Sequence, residues 1–324
     1  MKVVKLLVTG GAGFIGSNFV RRCLEGSYGE IPEITVLDKL TYAGNLDNLA
    51  DCINHPSLKF IKGDICDVEI LERCLPKHDA VIHFAAESHV DRSISGASVF
   101  MQTNTLGTQI LLDQVLKSKV KVFIHISTDE VYGSIAEGSA VETSALNPSS
   151  PYSASKTASD LIALAYFKTY GLDVRITRCS NNYGPYQFPE KVIPLFATNL
   201  LEGKSLPVYG NGLNSRDWLH VDDHCRAIWL VLQGGEAGEI YNIAGGAELS
   251  NLDLLHEIAA VLEISNPVID YVEDRAAHDK RYSLNYSKIA EKLGYKPSID
   301  FAFGLHQTVK WYQENSAWWG PLKK

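Results

Sequence analysis

A glycine-rich turn near the start of the chain constrains the fold most. Residues 3–9 are a short, apolar and β-branched run that predicts a strand, and Gly10-Gly11-Ala12-Gly13-Phe14-Ile15-Gly16 follows directly. Glycines at this spacing permit a tight turn and let backbone N–H groups approach a pyrophosphate at the following helix. Asp38 ends the next predicted strand, where a carboxylate can bond an adenosine ribose and repel a 2′-phosphate. Together they predict a Rossmann-type, doubly wound parallel α/β sheet that binds NAD rather than NADP, although Lys39 is a mild counter-indication.

Further apolar runs extend this alternation along the chain. Strands are predicted at residues 58–62, 80–84, 121–126 and 174–178, and long helices at residues 96–119 and 152–170. Beyond residue 180 the alternation becomes irregular and Gly, Asn and Pro cluster, as in a domain built from loops and short helices. We therefore predict an NAD-binding domain at residues 1–180 and a smaller α/β substrate-binding domain at residues 181–324, from which some segments return to the first.

Composition limits the classes of partner. The 324 residues are 45% apolar and 21% charged, and the net charge of −8 comes without a basic block, which argues against nucleic acid or a membrane surface as partner. No apolar run approaches the ~18 residues of a membrane span, and no signal peptide precedes the first strand, so we expect a cytoplasmic protein. The six cysteines show no C-x-x-C spacing and His220 and His224 lack a third ligand, so we expect neither disulfides nor a metal.

The residues that carry chemistry follow the strand predicted before Thr128. Thr128, Asp129 and Glu130 would stand at its carboxyl end, where open α/β sheets bind ligands. Tyr152 and Lys156 are four residues apart on a predicted helix and so share one face. A phenol is a poor base at neutral pH unless a cation favours its phenolate, and Lys156 and an oxidised nicotinamide would supply that charge. This set predicts hydride removal from a carbinol, with Tyr152 taking the alcohol proton and Thr128 bonding the same oxygen.

The adjacent carboxyls Asp129 and Glu130 exceed what a simple dehydrogenase needs. Two like charges held close push one pKa upwards, so that the pair separates into a protonated acid and an ionised base. An acid and a base beside a redox site predict elimination of water assisted by a transient oxidation.

Seven stretches of the sequence carry a resemblance to a known family. They are Thr-Gly-Gly-Ala-Gly-Phe-Ile-Gly (9–16), Asp-Lys-Leu-Thr-Tyr-Ala-Gly-Asn (38–45), Ala-Ala-Glu-Ser-His-Val-Asp-Arg-Ser (85–93), Ser-Thr-Asp-Glu-Val-Tyr-Gly (127–133), Tyr-Ser-Ala-Ser-Lys (152–156), Arg-Cys-Ser-Asn-Asn-Tyr-Gly-Pro-Tyr-Gln-Phe-Pro-Glu-Lys (178–191) and Ser-Arg-Asp-Trp (215–218). The hydroxyl followed by Tyr-x-x-x-Lys resembles the extended short-chain dehydrogenase/reductase superfamily. Over essentially the whole chain the stretches resemble its NAD-dependent epimerase/dehydratase family, in particular the dTDP-glucose 4,6-dehydratases.

The resemblance implies a hydro-lyase that converts dTDP-glucose to dTDP-4-keto-6-deoxyglucose and water. Tyr152 would take the proton of the carbon-4 hydroxyl as hydride passes to NAD. Glu130 would then remove the carbon-5 proton and later return it, while Asp129 would protonate the departing carbon-6 hydroxyl. Hydride returns to carbon 6, so the resemblance implies a tightly bound NAD that is regenerated in each turnover.

The glycine turn, the small residues after residue 83 and the resemblance together define the expected contacts. For the cofactor they are Gly10, Gly13, Phe14, Ile15, Gly16, Asp38, Lys39, Leu40, Thr41, Asp64, Ile65, Phe84, Ala85, Ala86, Thr103, Tyr152, Lys156 and Asn182. For the substrate they are Ser88, Thr128, Asn181, Lys191, Val192, Pro207, Val208, Tyr209, Arg216, Asn251, Arg275 and His278. The arginines suit a diphosphate because a planar guanidinium pairs two phosphate oxygens at once.

Several alternatives stay open. Asp64 has an equally simple role as a helix N-cap, although Asp67 is the better candidate for that. The family usually has Pro-Gly where this chain has Ala276-Ala277, which leaves selectivity for dTDP over UDP or CDP sugars open. The nearest rival function is a UDP-hexose 4-epimerase, which needs no acid–base pair. A non-catalytic NAD-binding regulator could dispense with Tyr152 as well.

The two long helices also predict an interface. They carry more apolar surface than packing against the sheet would bury. We therefore expect a homodimer in which residues 98–118 and 152–170 of each subunit form a four-helix contact.

Overall fold

The strands follow the predicted alternation. The structure, a computed structural model, describes residues 5–323, so residues 3 and 4 of the first predicted strand lie outside it. Within that range the strands are β1 (Lys5–Thr9), β2 (Glu33–Asp38), β3 (Leu58–Lys62), β4 (Ala80–His83), β5 (Val122–Thr128), β6 (Asp173–Cys179), β7 (Asn181–Tyr183), β8 (Leu206–Tyr209), β9 (Ser215–His220), β10 (Ile240–Ile243), β11 (Ala247–Ser250) and β12 (Ile269–Val272). The four strands predicted between residues 58 and 178 are confirmed as β3, β4, β5 and β6.

A parallel sheet of seven strands organises the structure. Its order is β10-β6-β5-β4-β1-β2-β3, so the chain moves outwards from β1 in both directions. Ligands bind where the strand order reverses in such a sheet, which here is beside β1 and β4. The predicted doubly wound sheet is therefore confirmed, and β10, from the C-terminal half of the chain, extends it beside β6.

Helices cover both faces of this sheet. In chain order the helices are α1 (Phe14–Leu24), α2 (Val68–Cys74), α3 (Val90–Ser95), α4 (Ala97–Phe100), α5 (Thr108–Ser118), α6 (Pro151–Tyr170), α7 (Val192–Leu201), α8 (Val221–Gly234), α9 (Asn251–Val261), α10 (Ser287–Leu293), α11 (Phe301–Glu314) and α12 (Ser316–Trp319). Side chains alternate along β1, so that Leu6 and Val8 pack with Phe19 of α1 while Leu7 packs with Leu111 of α5. None of the helices within residues 5–323 is long and apolar enough to cross a membrane.

The C-terminal half adds a smaller unit with its own core. A three-stranded sheet, β11-β9-β7, and a two-stranded sheet, β12-β8, pack with α7, α9 and α11. Their buried side chains, among them Phe196, Leu254 and Val309, form a third apolar cluster. The strand β7 follows β6 almost directly, which joins this unit to the carboxyl edge of the large sheet.

The helix predicted at residues 96–119 has the expected extent but not a regular geometry. Between α4 and α5 the segment Met101–Gly107 is a π-helical turn, and Lys119 ends α5 in the left-handed conformation (φ 58). The Asn104 side chain accepts from Glu87 N (2.8 Å) and donates to Ser155 Oγ (2.9 Å). The irregular turn thus carries a side chain that bonds residue 87 and α6. Apolar periodicity does not reveal such contacts.

Candidate active site

One long cavity runs across the carboxyl edge of the parallel sheet, at the predicted position. All five predicted catalytic residues line it, and so does every predicted cofactor residue except Leu40. Four predicted substrate residues also line it: Ser88, Thr128, Asn181 and Lys191. Leu40 lies beside the cavity wall, where its N–H donates to Asp38 Oδ1 at 2.8 Å.

The glycine turn forms one end of this cavity. A Cβ on Gly10 would lie 2.5 Å from Ala85 N, and one on Gly16 would lie 2.3 Å from Gly10 O, so neither position tolerates a side chain. Gly13 precedes α1 and offers no side chain to cap its first turn. The N–H groups of that turn are therefore available to an anion, and Gly13, Phe14 and Ile15 line the cavity.

The carboxylate of Asp38 lies beside the glycine turn. Its oxygens accept from Ala12 N at 2.9 Å and Leu40 N at 2.8 Å; burial raises the pKa of Asp38, and these two bonds oppose the rise. Lys39 Nζ pairs with Asp64 Oδ2 at 2.7 Å, which engages the cation that would have favoured a 2′-phosphate. The N-cap of α2 is Asp67, whose carboxylate accepts from Ile70 N.

NAD fits these residues. The side-chain-free turn leaves room and N–H donors for a pyrophosphate, and the buried carboxylate of Asp38 stands at the end of the neighbouring strand. Residues 5–323 contain no group of three or more His, Cys, Asp or Glu side chains that could hold a metal ion. His220 accepts from Asp222 N, whereas His224 pairs with Asn182 Oδ1 at 2.8 Å.

The turn Asp129–Tyr132 follows β5 directly, and we call it the catalytic turn because it carries two of the predicted catalytic residues. Thr128 caps the 3₁₀ turn Asp129–Tyr132, since its Oγ1 accepts from Glu130 N (3.3 Å) and donates to Asp129 Oδ1 (3.1 Å). The side chain of Asp129 is buried, and its Oδ2 atom has no hydrogen-bond partner. Burial, then the charge of Glu130, raises the pKa of Asp129 well above its usual range. This direction favours the protonated form of Asp129, which is the form that a proton donor requires.

Glu130 has a different electrostatic environment. Burial raises its pKa as well, but the charges of Arg275, Arg216 and Lys191 oppose that rise. The two adjacent carboxyls thus face different surroundings, one enclosed with a hydroxyl and the other beside three cations. These surroundings differ in the direction that an acid and a base would need.

Tyr152 and Lys156 reach the cavity from α6. The helix begins with Pro151 in its first turn and a capping box between Ser150 and Ser153, which fixes where its first residues point. Burial and the neighbouring Glu130 raise the pKa of Tyr152 well above its usual range. Lys156 Nζ donates to Ile126 O at 2.7 Å, and burial lowers the pKa of Lys156 to about 8, partly opposed by Asp160. The phenolate expected from the sequence is thus not favoured in the protein alone.

The remaining predicted substrate residues lie outside the lining of this cavity. Val192 begins α7, Pro207, Val208 and Tyr209 lie on β8, Arg216 lies on β9, Asn251 begins α9, and Arg275 and His278 follow β12. Several of them meet, since the rings of Tyr209 and His278 are 6.1 Å apart and Arg275 Nη1 lies 3.8 Å from Asp91 Oδ1. Arg275 Nε is buried without a partner, so this region offers an unused donor to an anion.

The loop with the unusual Ala276-Ala277 sequence is strained. Ala277 adopts φ 53, a left-handed conformation that favours glycine and costs about 1–2 kcal/mol for another residue. The backbone therefore keeps a glycine-like conformation although the side chain is larger. The chain beyond it is anchored, because Arg216 Nη2 donates to Asp279 O at 2.9 Å.

Sequence reasoning missed several residues that line the cavity. The ring of Tyr42 lies edge-on to Phe188 (5.6 Å) and has Arg92 Cζ 4.0 Å from its centroid. Glu190 Oε2 accepts from Arg92 Nη2 at 2.9 Å, while Oε1 is buried without a partner. Glu87 and Gln187 line the same walls. Most of these residues lie inside the stretches 38–45, 85–93 and 178–191. The family resemblance over the full length of those stretches could therefore have indicated them as cavity residues.

Comparison with known proteins agrees with this geometry. Residues 7–308 match the sequence model of the family described as GDP-mannose 4,6 dehydratase. A dTDP-glucose 4,6-dehydratase of Streptomyces niveus is 54% identical over 322 residues, which cover 99% of this chain and 96% of that protein. The dTDP-glucose 4,6-dehydratase DesIV of Streptomyces venezuelae, solved with NAD bound, is 59% identical with a TM-score of 0.98, over 99% of this chain and 100% of that one. A UDP-glucuronic acid 4-epimerase of Bacillus cereus is 27% identical with a TM-score of 0.90, over 96% of this chain and 99% of that one.

Proposed function

The chain belongs to the dTDP-glucose 4,6-dehydratase family, and we propose that it converts dTDP-glucose to dTDP-4-keto-6-deoxyglucose and water with a bound NAD. One observation favours dehydration over 4-epimerisation, a reaction that proteins of the same fold also catalyse. Asp129 and Glu130 are adjacent on the catalytic turn; burial raises the pKa of both, and the charges of Arg275, Arg216 and Lys191 oppose the rise at Glu130, which supports Asp129 as the acid and Glu130 as the base. A 4-epimerase returns hydride to the same carbon and needs no such pair, whereas loss of water needs both a base and an acid.

The protein's own groups handle the protons. Tyr152 of α6 takes the proton of the carbon-4 hydroxyl, and Thr128, which caps the catalytic turn, bonds that oxygen. The pKa of Tyr152 is high in the protein alone, so proton removal requires positive charge beside the phenol, from the Lys156 ammonium and an oxidised nicotinamide. The chemistry that NAD supplies when bound is acceptance of a hydride from carbon 4 and its return to carbon 6.

Glu130 and Asp129 carry out the elimination of water. Oxidation at carbon 4 acidifies the neighbouring carbon-5 proton, which Glu130 removes in its ionised form. Asp129 delivers its proton to the carbon-6 oxygen as water leaves. Three cations near Glu130 support this division, because they favour the charged carboxylate that a base requires.

The nucleotide of the substrate would lie beside the smaller C-terminal unit, away from the hexose. The charges of Arg216 and Arg275 oppose the rise in the pKa of Glu130, which supports a role for both arginines beside the catalytic turn. A diphosphate between these groups would satisfy the buried Nε donor of Arg275. The hexose would then extend from the diphosphate towards Thr128 and Tyr152.

The proposal is tested by incubating the purified protein with dTDP-glucose and identifying the product. We expect a 4-keto-6-deoxy sugar, recognised by its absorbance in alkali, and a dinucleotide released when the protein is denatured. A parallel reaction with UDP-glucose and CDP-glucose establishes nucleotide selectivity. A 4-epimer without loss of water would contradict the proposal and favour the epimerase.

The homodimer and the cytoplasmic location belong to the same proposal. The helices expected at the interface expose large apolar side chains, with Val99 47%, Leu106 48%, Leu161 53% and Tyr170 57% accessible. Exposed apolar groups gathered on neighbouring helices favour burial against a second copy. The free, mostly buried cysteines support a reducing compartment.

A further inference from the structure

The C-terminal segment Trp311–Trp319 contacts the glycine-turn side of the cavity. Trp318 Nε1 donates to Asn48 Oδ1 at 3.1 Å, and Asn48 Nδ2 in turn donates to Ala12 O at 2.9 Å. Asn48 is buried, and its backbone carbonyl accepts a hydrogen bond from the Arg21 guanidinium. An indole near the end of the described chain is therefore two hydrogen bonds away from the turn that would hold the pyrophosphate.

The same segment also contacts a second part of the cavity wall. Tyr312 OH donates to Gln187 O at 2.5 Å, and Gln187 lines the cavity next to Phe188. The preceding Tyr186 packs against Trp311, with ring centroids 4.6 Å apart, and against Trp318, at 5.5 Å. Two separate segments that border the cofactor end are thus attached to one stretch of chain.

The backbone at Tyr186 indicates that these contacts hold it in place. Tyr186 adopts φ 68, a left-handed conformation that is unfavourable for a bulky side chain. Its ring is enclosed by the two indoles and by Arg21, whose Cζ lies 4.3 Å from the ring centroid. A strained residue persists where its surroundings over-determine it, and here the C-terminal segment supplies much of those surroundings.

We propose that the segment Trp311–Trp319 is a clasp that retains NAD by joining the two sides of its cavity. The inference rests on the proposed function, because it assumes that NAD binds against the glycine turn. Phe188 already meets Tyr42 across the cavity, edge to face at 5.6 Å. Release of a dinucleotide requires these sides to separate, and the clasp resists that movement at both. A cofactor regenerated in every turnover gains from such retention.

The experiment compares conservative variants of the clasp. Tyr312→Phe removes the hydroxyl bonded to Gln187, and Trp318→Phe removes the indole N–H bonded to Asn48. The matched control is Trp319→Phe, because Trp319 Nε1 donates to Tyr312 O at 2.7 Å, a bond within the segment that reaches neither side. Each protein is loaded with isotopically labelled NAD and diluted into unlabelled NAD. The label that stays bound is followed in time by rapid gel filtration.

We expect each clasp variant to release NAD several-fold faster than the wild type, and the double variant at least about tenfold faster, as the loss of two hydrogen bonds implies. The control should release NAD at the wild-type rate, and the affinity for dTDP, measured by calorimetry, should not change. Equal rates in all proteins, or an equal acceleration in Trp319→Phe, would overturn the clasp. If the double variant does not fold, Tyr312→Phe, which keeps its ring, decides alone. A wild-type protein that binds no NAD would refute the proposed function itself.

Discussion

The substitution Asp160→Asn tests the buried charges behind Lys156. Asp160 is fully buried one helical turn beyond Lys156, and its Oδ2 accepts from Arg178 Nε at 2.9 Å. His125 Nε2 lies 3.2 Å from Oδ1. Burial alone would raise the pKa of Asp160, but His125 and Arg178 outweigh it and hold the pKa below its ordinary value of 3.8. Asp160 is therefore an ion at neutral pH.

The magnitude follows from what the substitution leaves behind. Asparagine keeps the shape of the side chain but removes the charge, so the guanidinium of Arg178, only 2% exposed, loses its compensating charge. Removing one partner of a buried ion pair costs about 3–5 kcal/mol of unfolding free energy. The matched control is Asp173→Asn, which also removes a carboxylate bonded to an arginine of β6, with Arg175 Nη2 at 2.7 Å. That pair is more exposed, and its loss should cost about 1 kcal/mol or less.

The assay is urea unfolding of both variants and the wild type across a pH series. Because the folded-state pKa of Asp160 is depressed, the wild-type advantage is fully present above pH 3.8 and is lost as the pH falls below it. We therefore expect a large difference for Asp160→Asn at neutral pH that shrinks in acid. Equal, small losses in Asp160→Asn and Asp173→Asn would refute the reasoning about the buried pair.

Three further predictions concern catalysis, assembly and backbone strain. The rate of nicotinamide reduction should fall as the pH rises through about 8, because Lys156 then loses its charge, and a rate that stays constant from neutral pH to well above this value would contradict this role. Leu161→Glu should give a monomeric mass by light scattering, whereas Val268→Glu, a still more exposed site outside the two predicted interface helices, should keep the mass of the wild type. Gly133→Ala should destabilise the protein by more than about 2 kcal/mol in urea unfolding, since its Cβ would lie 2.2 Å from Asn147 O and its backbone (φ 70, ψ −163) is one that essentially only glycine adopts. Gly138→Ala has φ 69 but an open site, so it should show only the strain, and equal losses would refute the clash.

Much of the nucleotide-binding sheet could be predicted from the sequence because its signals are local. Apolar strands, the glycine turn and Asp38 lie within short stretches whose physical purpose is evident without tertiary structure. The pairing of Tyr152 with Lys156 follows in the same way from helical spacing. The strands and the doubly wound sheet were confirmed because tertiary contacts reinforce the local preferences and do not override them.

Other features depend on contacts between distant residues and leave no local pattern. The position of Arg275 near Glu130 could be expected only from the family resemblance, because 145 residues separate them in the sequence (275 − 130). The π-helical turn contains Asn104, whose side chain bonds residues 87 and 155 of other segments. The clasp joins Trp318 to Asn48 across the whole chain, and periodicity carries no information on such a pairing.

The division of labour between the carboxyls is the central claim, and one stopped-flow measurement tests it most directly. Purified Glu130→Gln, loaded with NAD, is mixed with dTDP-glucose while the near-ultraviolet absorbance of reduced nicotinamide is followed. Turnover should fall by roughly 10²–10⁴-fold, as for a lost general base, while the absorbance rises and persists because oxidation at carbon 4 does not need Glu130. Asp129→Asn should behave alike, and Tyr152→Phe should show no rise. Near-normal dehydration by Glu130→Gln would contradict the account.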